Sequence, residues 1–457
     1  MKKIEIKNII TILAILLLTV SCNDWIDHDI NVDPDSPSDV PMSLILPGIQ
    51  QSMGYNLVGN NTVRTNNIWM QHFDGTDRQS YTEARYQLTP ADVDGVWSSI
   101  YTEMIMNSNT IIEKSKAEGK ESPHYEGIAQ VMIATSTGIA TDLFGDIPFS
   151  KAFGGNQGIL KAEYDSQEKV YDTIFQILDK AITNLSSTNN TISVDGDVSY
   201  GGDIDKWKKA AYSIKARHAL QLSAINGNAA YTEALTAASK GFSSNDDDFM
   251  VPWEEANKNP LFQFMEQRGD IRMGATFVDL LNSVNDPRLP FYVAKDGDGN
   301  YTGSAAGSEN TSASEPGSYI AGSDSSTNLM TYSELKFIQA EAYLMLNDSR
   351  AQKAWEDAVA ASVLRVTGND NSTWLTANII GVPVTLEKII EQKYIDGIGT
   401  NQPYADYRRT GLPNLNIATG AVLSSIPTRF PYATSELNYN SENVPTVTIS
   451  DKLWWDQ

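Results

Sequence analysis

Side chains suited to holding a ring-shaped polar molecule are concentrated in a few stretches of this sequence. The densest is residues 66–81, where Trp69, Asp74, Arg78 and Tyr81 stand among Asn66, Asn67, Gln71 and Gln79. Aromatic faces cover an apolar C–H surface, while planar amide, carboxylate and guanidinium groups pair with a rim of hydroxyls. Residues 296–328 add Tyr301 and Tyr319 within a run rich in Gly, Ser, Asn and Asp. Trp69, Asp74, Arg78, Tyr81, Tyr301 and Tyr319 are therefore the candidate ligand-binding set, on loops that a stiff frame must hold. Each has a plainer reading: Trp69 packing under the first helix, the two late tyrosines anchoring their loop, Asp74 pairing with Arg78.

Catalytic chemistry has less to stand on. The chain contains no H-E-x-x-H, G-x-S-x-G, G-x-x-x-x-G-K-[ST] or G-x-G-x-x-G pattern. A single cysteine, Cys22, excludes an intrachain disulfide and a Cys-based metal site, and four scattered histidines offer little to zinc. The stretch Asp296-Gly297-Asp298-Gly299-Asn300 has calcium-loop character, but Tyr301 and Gly307 stand where an EF-hand needs Gly and Glu. It reads as a tight turn. Asp246-Asp247-Asp248 reads as a solvated run of charge. No cofactor and no metal are expected, and the chain reads as a binding protein, not an enzyme.

The net charge is −23 and the pI about 4.5, with no basic stretch to offset it, so phosphate backbones are repelled and a nucleic-acid partner is excluded. At 41% hydrophobic and 20% charged, the composition is that of a folded chain. Residues 1–21 open with Lys2, Lys3 and Lys7 and continue apolar from Ile9 to Val20, too short to span a bilayer and typical of a secretory signal. Thr19-Val20-Ser21-Cys22 resembles the lipobox of bacterial lipoproteins. Cys22 is thus the expected lipidation site, its acyl chains each adding about 0.8 kcal/mol per buried CH₂ and forming a membrane anchor. Residues 22–41, acidic and proline-bearing, read as a tether, and 42–457 as one large domain.

The elements that must position the candidate residues are helices. Val96, Trp97, Ile100, Tyr101, Met104, Ile105, Ile111 and Ile112 recur at three and four residues and predict one apolar helix face. Ser122-Pro123 opens a second helix, and Asp165 with Glu168 predicts the capped start of a third. Further helices are expected at 205–224, 229–240, 274–283, 332–347, 350–365, 385–397 and 402–409. Residues 186–203 and 296–328 lack aliphatic periodicity and read as long irregular loops.

Several segments carry more than periodicity. They are Leu143-Phe144-Gly145-Asp146-Ile147-Pro148-Phe149-Ser150, Lys206-Trp207-Lys208-Lys209, Asn285-Asp286-Pro287-Arg288, Tyr332-Ser333-Glu334-Leu335, Tyr407-Arg408-Arg409-Thr410-Gly411 and Arg429-Phe430-Pro431-Tyr432 with Glu436. In this order they resemble the SusD/RagB family of outer-membrane nutrient-binding lipoproteins, in particular its SusD-like branch. The resemblance implies a mainly α fold of tetratricopeptide-like helix pairs in one large domain with long irregular loops. It implies a cell-surface position on the outer membrane and a SusC-like TonB-dependent transporter as partner. Family ligands are mostly oligosaccharides, for some members peptides; binding residues differ between members, so none carries over. Arg217 and Glu341 read as buried ion pairs, and Arg408 and Arg409 as scaffold or as contacts to the transporter. The competing readings are a surface lipoprotein hydrolase and a peptide-binding member of the same family.

Overall fold

Periodic apolar residues become long helices that stack in chain order. The computed structural model describes residues 39–119 and 121–456; the signal, Cys22 and most of the tether lie outside them. The principal helices are α1 (Met42–Ser52), α2 (Asn61–Trp69), α3 (Met106–Lys114), α4 (Pro123–Phe144), α5 (Gln167–Leu185) and α6 (Ile204–Gln221). They continue as α7 (Asn228–Ala238), α8 (Tyr332–Met345), α9 (Ala351–Thr367), α10 (Leu386–Asp396) and α11 (Gln402–Thr410). From α3 to α9 each helix packs on the next, and α10 returns to lie on α8. Two small antiparallel pairs sit beside this stack: β1 (Phe73–Gly75) with β3 (Ile271–Met273), and β2 (Phe249–Val251) with β4 (Thr327–Met330). The fold is mainly helical, as the sequence predicts, with one large apolar core and two smaller clusters beside it.

Local chemistry sets the helix ends. Asp203, Thr331 and Thr385 accept the backbone N–H three residues on, satisfying donors that a first helical turn leaves open. At α5 the cap is Ser166, not Asp165: Ser166 accepts from Lys169 N, while Asp165 turns back to accept the N–H and hydroxyl of Ser150. α4 stops at Gly145, whose φ of +80° a side chain would strain and whose absent Cβ would press on Leu453 and Arg429.

Residues 66–81, expected as loop, are mostly ordered structure. α2 ends at Trp69, β1 covers Phe73–Gly75, and a short helix spans Arg78–Ala84. The cause is burial of polar side chains, which hides the apolar period: Thr62, Arg64, Thr65, Asn66 and Asn67 are all inside. Arg64 is neutralised by Glu83 at 3.1 Å and Asn67 donates to Val63 O and Thr400 O.

Charged residues of the quoted motifs face inward. Arg217 pairs with Glu334 at 2.6 Å and Arg288 with Asp286 at 2.7 Å. Arg409 bridges Glu341 and Asp406, which also hold Lys393, so one buried network ties α8, α10 and α11. Arg408 donates to Thr428 O and lies over the rings of Tyr404 and Trp455. Both arginines are framework. Breaking such a buried pair by removing one partner costs about 3–5 kcal/mol. Asp246-Asp247-Asp248 also departs from expectation: Asp247 and Asp248 are buried, Asp247 against Lys209 at 2.9 Å and Asp248 accepting from Tyr332 N. The Asp296 turn behaves as predicted, its carboxylate accepting from Asp298 N, Asn300 N and the Thr302 hydroxyl.

Candidate ligand-binding groove

The first strongly periodic helix of the sequence supplies the floor of an open groove. A 3-10 turn (Pro90–Val93) capped by Thr89 and Asp92 runs into a helical turn at Asp94–Ser98, a π-helical stretch at Ser99–Ile105, and then α3. π-helical turns are rare and re-aim the side chains around them. Trp97 and Tyr101, four residues apart, share a face, with Ser98 and Thr102 alongside. Trp97 is 4% exposed and packs edge-on against Phe144 at 4.9 Å and Tyr432 at 6.1 Å. Tyr101 lies 5.1 Å from it and donates its hydroxyl to Pro148 O at 2.8 Å.

Two walls rise from this floor. The 148–162 segment carries Phe153, 6.3 Å from Tyr101 and partly exposed, and Leu160, which is 86% exposed. The short helix Thr434–Tyr439 carries Glu436, Asn438 and Tyr439, the last 79% exposed. Asp94 fixes this helix to the floor by accepting from Ser435 N at 2.9 Å. Tyr164 donates to Glu436, and Asn440 donates both to Glu436 and to Ala162 O, which joins the walls. Burial pushes the Tyr101 and Tyr164 phenols well above their ordinary range, with Glu436 adding to the shift at Tyr164, so both stay hydrogen-bond donors.

The groove has a volume of about 680 Å³. Exposed apolar faces at Met106, Phe153 and Tyr439 alternate along it with Asp94, Ser98, Thr102, Thr434, Ser435 and Asn438. Aromatic surfaces beside hydroxyl, amide and carboxylate groups are what a polyhydroxylated ring requires of a site.

The residues picked from sequence are placed differently. Trp69 is 0% exposed, edge-on to Tyr404 and Phe430, its indole donating to Glu83 O. Asp74 is buried and accepts from the Ser304 hydroxyl, Gly307 N and Glu309 N, so it ties β1 to the 304–309 loop. Neither presents a face to solvent. Arg78 is exposed but pairs with Asp270 and Asp77, not Asp74. Tyr81 lies under the Arg85 guanidinium at 3.7 Å, and Tyr301 under the Lys295 ammonium at 5.7 Å, so a cation covers one face of each ring. Tyr319 lines a separate groove of about 610 Å³ with Phe291, Asn245, Asp248, Asn328 and Arg365, and accepts from Arg365. The structure does not gather the six into one site. Trp97 and Tyr101 were hidden as members of an apolar helix face, and Phe153 and Tyr439 sit where no periodicity singles them out; the parallel Ser98/Thr102 pair was the legible signal.

Among the described residues no helix is long and apolar enough to cross a membrane, and no cluster of His, Cys, Asp or Glu could hold a metal ion. No curated protein matches the chain in sequence. The fold is similar to a SusD/RagB family protein from Bacteroides thetaiotaomicron, 24% identical, covering 92% of this chain and 99% of that one, with a TM-score of 0.78. It is similar too to a chitin-binding SusD homolog from Flavobacterium johnsoniae, 23% identical, covering 91% and 98% of the two chains, with a TM-score of 0.76. The family model described as starch-binding, associating with the outer membrane, matches residues 34–433, and this chain belongs to that SusD-like family.

Proposed function

We propose that the protein is a cell-surface lipoprotein that captures oligosaccharides, or a nutrient of similar chemistry, and delivers them to a SusC-like TonB-dependent outer-membrane transporter. Family membership supports nutrient binding at the outer membrane. The observation that carries the reading is the groove over Trp97 and Tyr101, where Tyr439, Phe153 and Tyr101 offer ring faces between hydrogen-bonding side chains. Anchoring through Cys22 with 22–41 as tether would hold that groove beside the pore. Arg78, Tyr81, Tyr301 and Tyr319 are proposed as ligand contacts outside the groove, with Trp69 and Asp74 holding the segments that carry them.

Binding without chemistry separates this reading from a surface hydrolase. Incubated with labelled oligosaccharides, the protein retains them at full length; shortened products would assign it catalysis instead. Cys22→Ser should move the protein out of the membrane fraction, and an unchanged membrane fraction would remove the anchor.

A further inference from the structure

Resting on the reading of the Trp97–Tyr439 groove as the ligand site, a second question is which class of saccharide it admits. Among the described residues that line it, none is Lys, Arg or His, and two are acids, Asp94 and Glu436. The lysines beside its wall are already paired, Lys151 with Glu163 at 2.6 Å and Lys161 with Glu442 at 3.2 Å. Each groove acid commits one oxygen to the frame: Asp94 Oδ1 to Ser435 N, and Glu436 Oε2 to Tyr164 and Asn440. Among the described residues, none donates to Asp94 Oδ2 or Glu436 Oε1. Among the described residues, cations lie over Tyr81 and Tyr301, but none lies over Tyr101, Phe153 or Tyr439.

A sugar hydroxyl or ammonium entering here would donate to the two free carboxylate oxygens, a charge-assisted bond stronger than a neutral one. A uronate or sulfate would meet two like charges, no receiving cation, and the field of a chain of net charge −23. We propose that the groove admits neutral or amino-bearing saccharides and rejects anionic ones, with Asp94 and Glu436 as the specificity-determining residues.

The test is calorimetric titration of the mature chain with neutral gluco-, galacto- and N-acetylglucosamine oligosaccharides, a chitosan oligomer, an oligogalacturonate and a sulfated oligosaccharide, at low and high salt. The anionic probes should bind at least about tenfold more weakly than the best neutral or amino-bearing one at low salt, and the gap should narrow as salt screens the field. In Asp94→Asn/Glu436→Gln, which keeps acceptors for Ser435 N and the Tyr164 hydroxyl, the gap should also narrow. An anionic probe bound as tightly as the neutral ones, and lost in Tyr439→Ala, overturns the selectivity while leaving the groove as the site. A gap unchanged in the double variant overturns the assignment to these two acids. Binding of no probe overturns the groove reading and the selectivity with it.

Discussion

Tyr164 donates its hydroxyl to Glu436 Oε2 at 3.0 Å across 272 residues of sequence, and this bond joins the C-terminal wall of the groove to the wall that ends at Tyr164. A bond to a carboxylate contributes about 1.5–3 kcal/mol, more than a neutral pair would. Tyr164→Phe keeps the ring and removes only the donor. It should lower stability by about 1–2 kcal/mol in denaturant unfolding and weaken saccharide binding together. Unchanged affinity with lowered stability would show that the wall need not be fastened for capture.

Exposure distinguishes the proposed ligand contacts from buried framework aromatics. Tyr439 and Phe153 reach solvent, so Tyr439→Ala/Phe153→Ala should leave stability within about 0.5 kcal/mol of the parent in a thermal melt while affinity falls at least about tenfold. Trp69→Ala should do the reverse, costing about 3–5 kcal/mol through the cavity it leaves beside Tyr404 and Phe430.

The crossing of α4 on α6 depends on a missing side chain. A Cβ at Gly138 in α4 would lie 2.2 Å from the imidazole of His218 in α6. His218 is buried with neither ring nitrogen hydrogen-bonded, and burial holds its pKa down at about 3, so it packs as a neutral ring. Gly138→Ala should destabilise the protein by about 1–3 kcal/mol in equilibrium unfolding. Adding His218→Ala should recover part of that loss, giving a favourable coupling between the two sites.

Asp248 gives the stability a pH dependence whose direction is fixed by burial. Its pKa is raised from 3.8 to about 7, burial outweighing the opposing pull of Arg365. The folded state therefore holds a proton that the unfolded chain releases, and stability is lost as pH rises between those two values. Asp248→Asn can still accept from Tyr332 N and cannot ionise. Its stability advantage over the parent should grow by about 3 kcal/mol between pH of roughly 5 and roughly 8.5, read from urea midpoints across that range.

The helical stack was legible in the sequence because its helices carry an apolar period and marked starts: Ser122-Pro123 opens α4, and Val170, Ile174, Leu178 and Ala181 in α5 are all buried. α2 was not, because its buried face is made of Thr62, Arg64, Asn66 and Asn67, whose partners Glu83 and Thr400 come from distant segments. The same effect governs residues 66–81. Polar and aromatic residues in 66–81 looked solvent-facing by type, yet Trp69 and Asp74 are consumed by long-range hydrogen bonds. The groove was concealed for the opposite reason: Trp97 and Tyr101 obey the core period, and the 148–162 and 434–440 segments that wall the space beside them come from far along the chain.

The central claim is that saccharide is held between Tyr101, Phe153 and Tyr439. The most direct measurement is a titration of the parent and of Tyr439→Ala/Phe153→Ala with whichever neutral oligosaccharide the parent binds best, both proteins first shown to melt alike. Saturable binding by the parent and its loss in the variant is the predicted result. Equal affinity in the two proteins would contradict the account and move the site elsewhere on the surface.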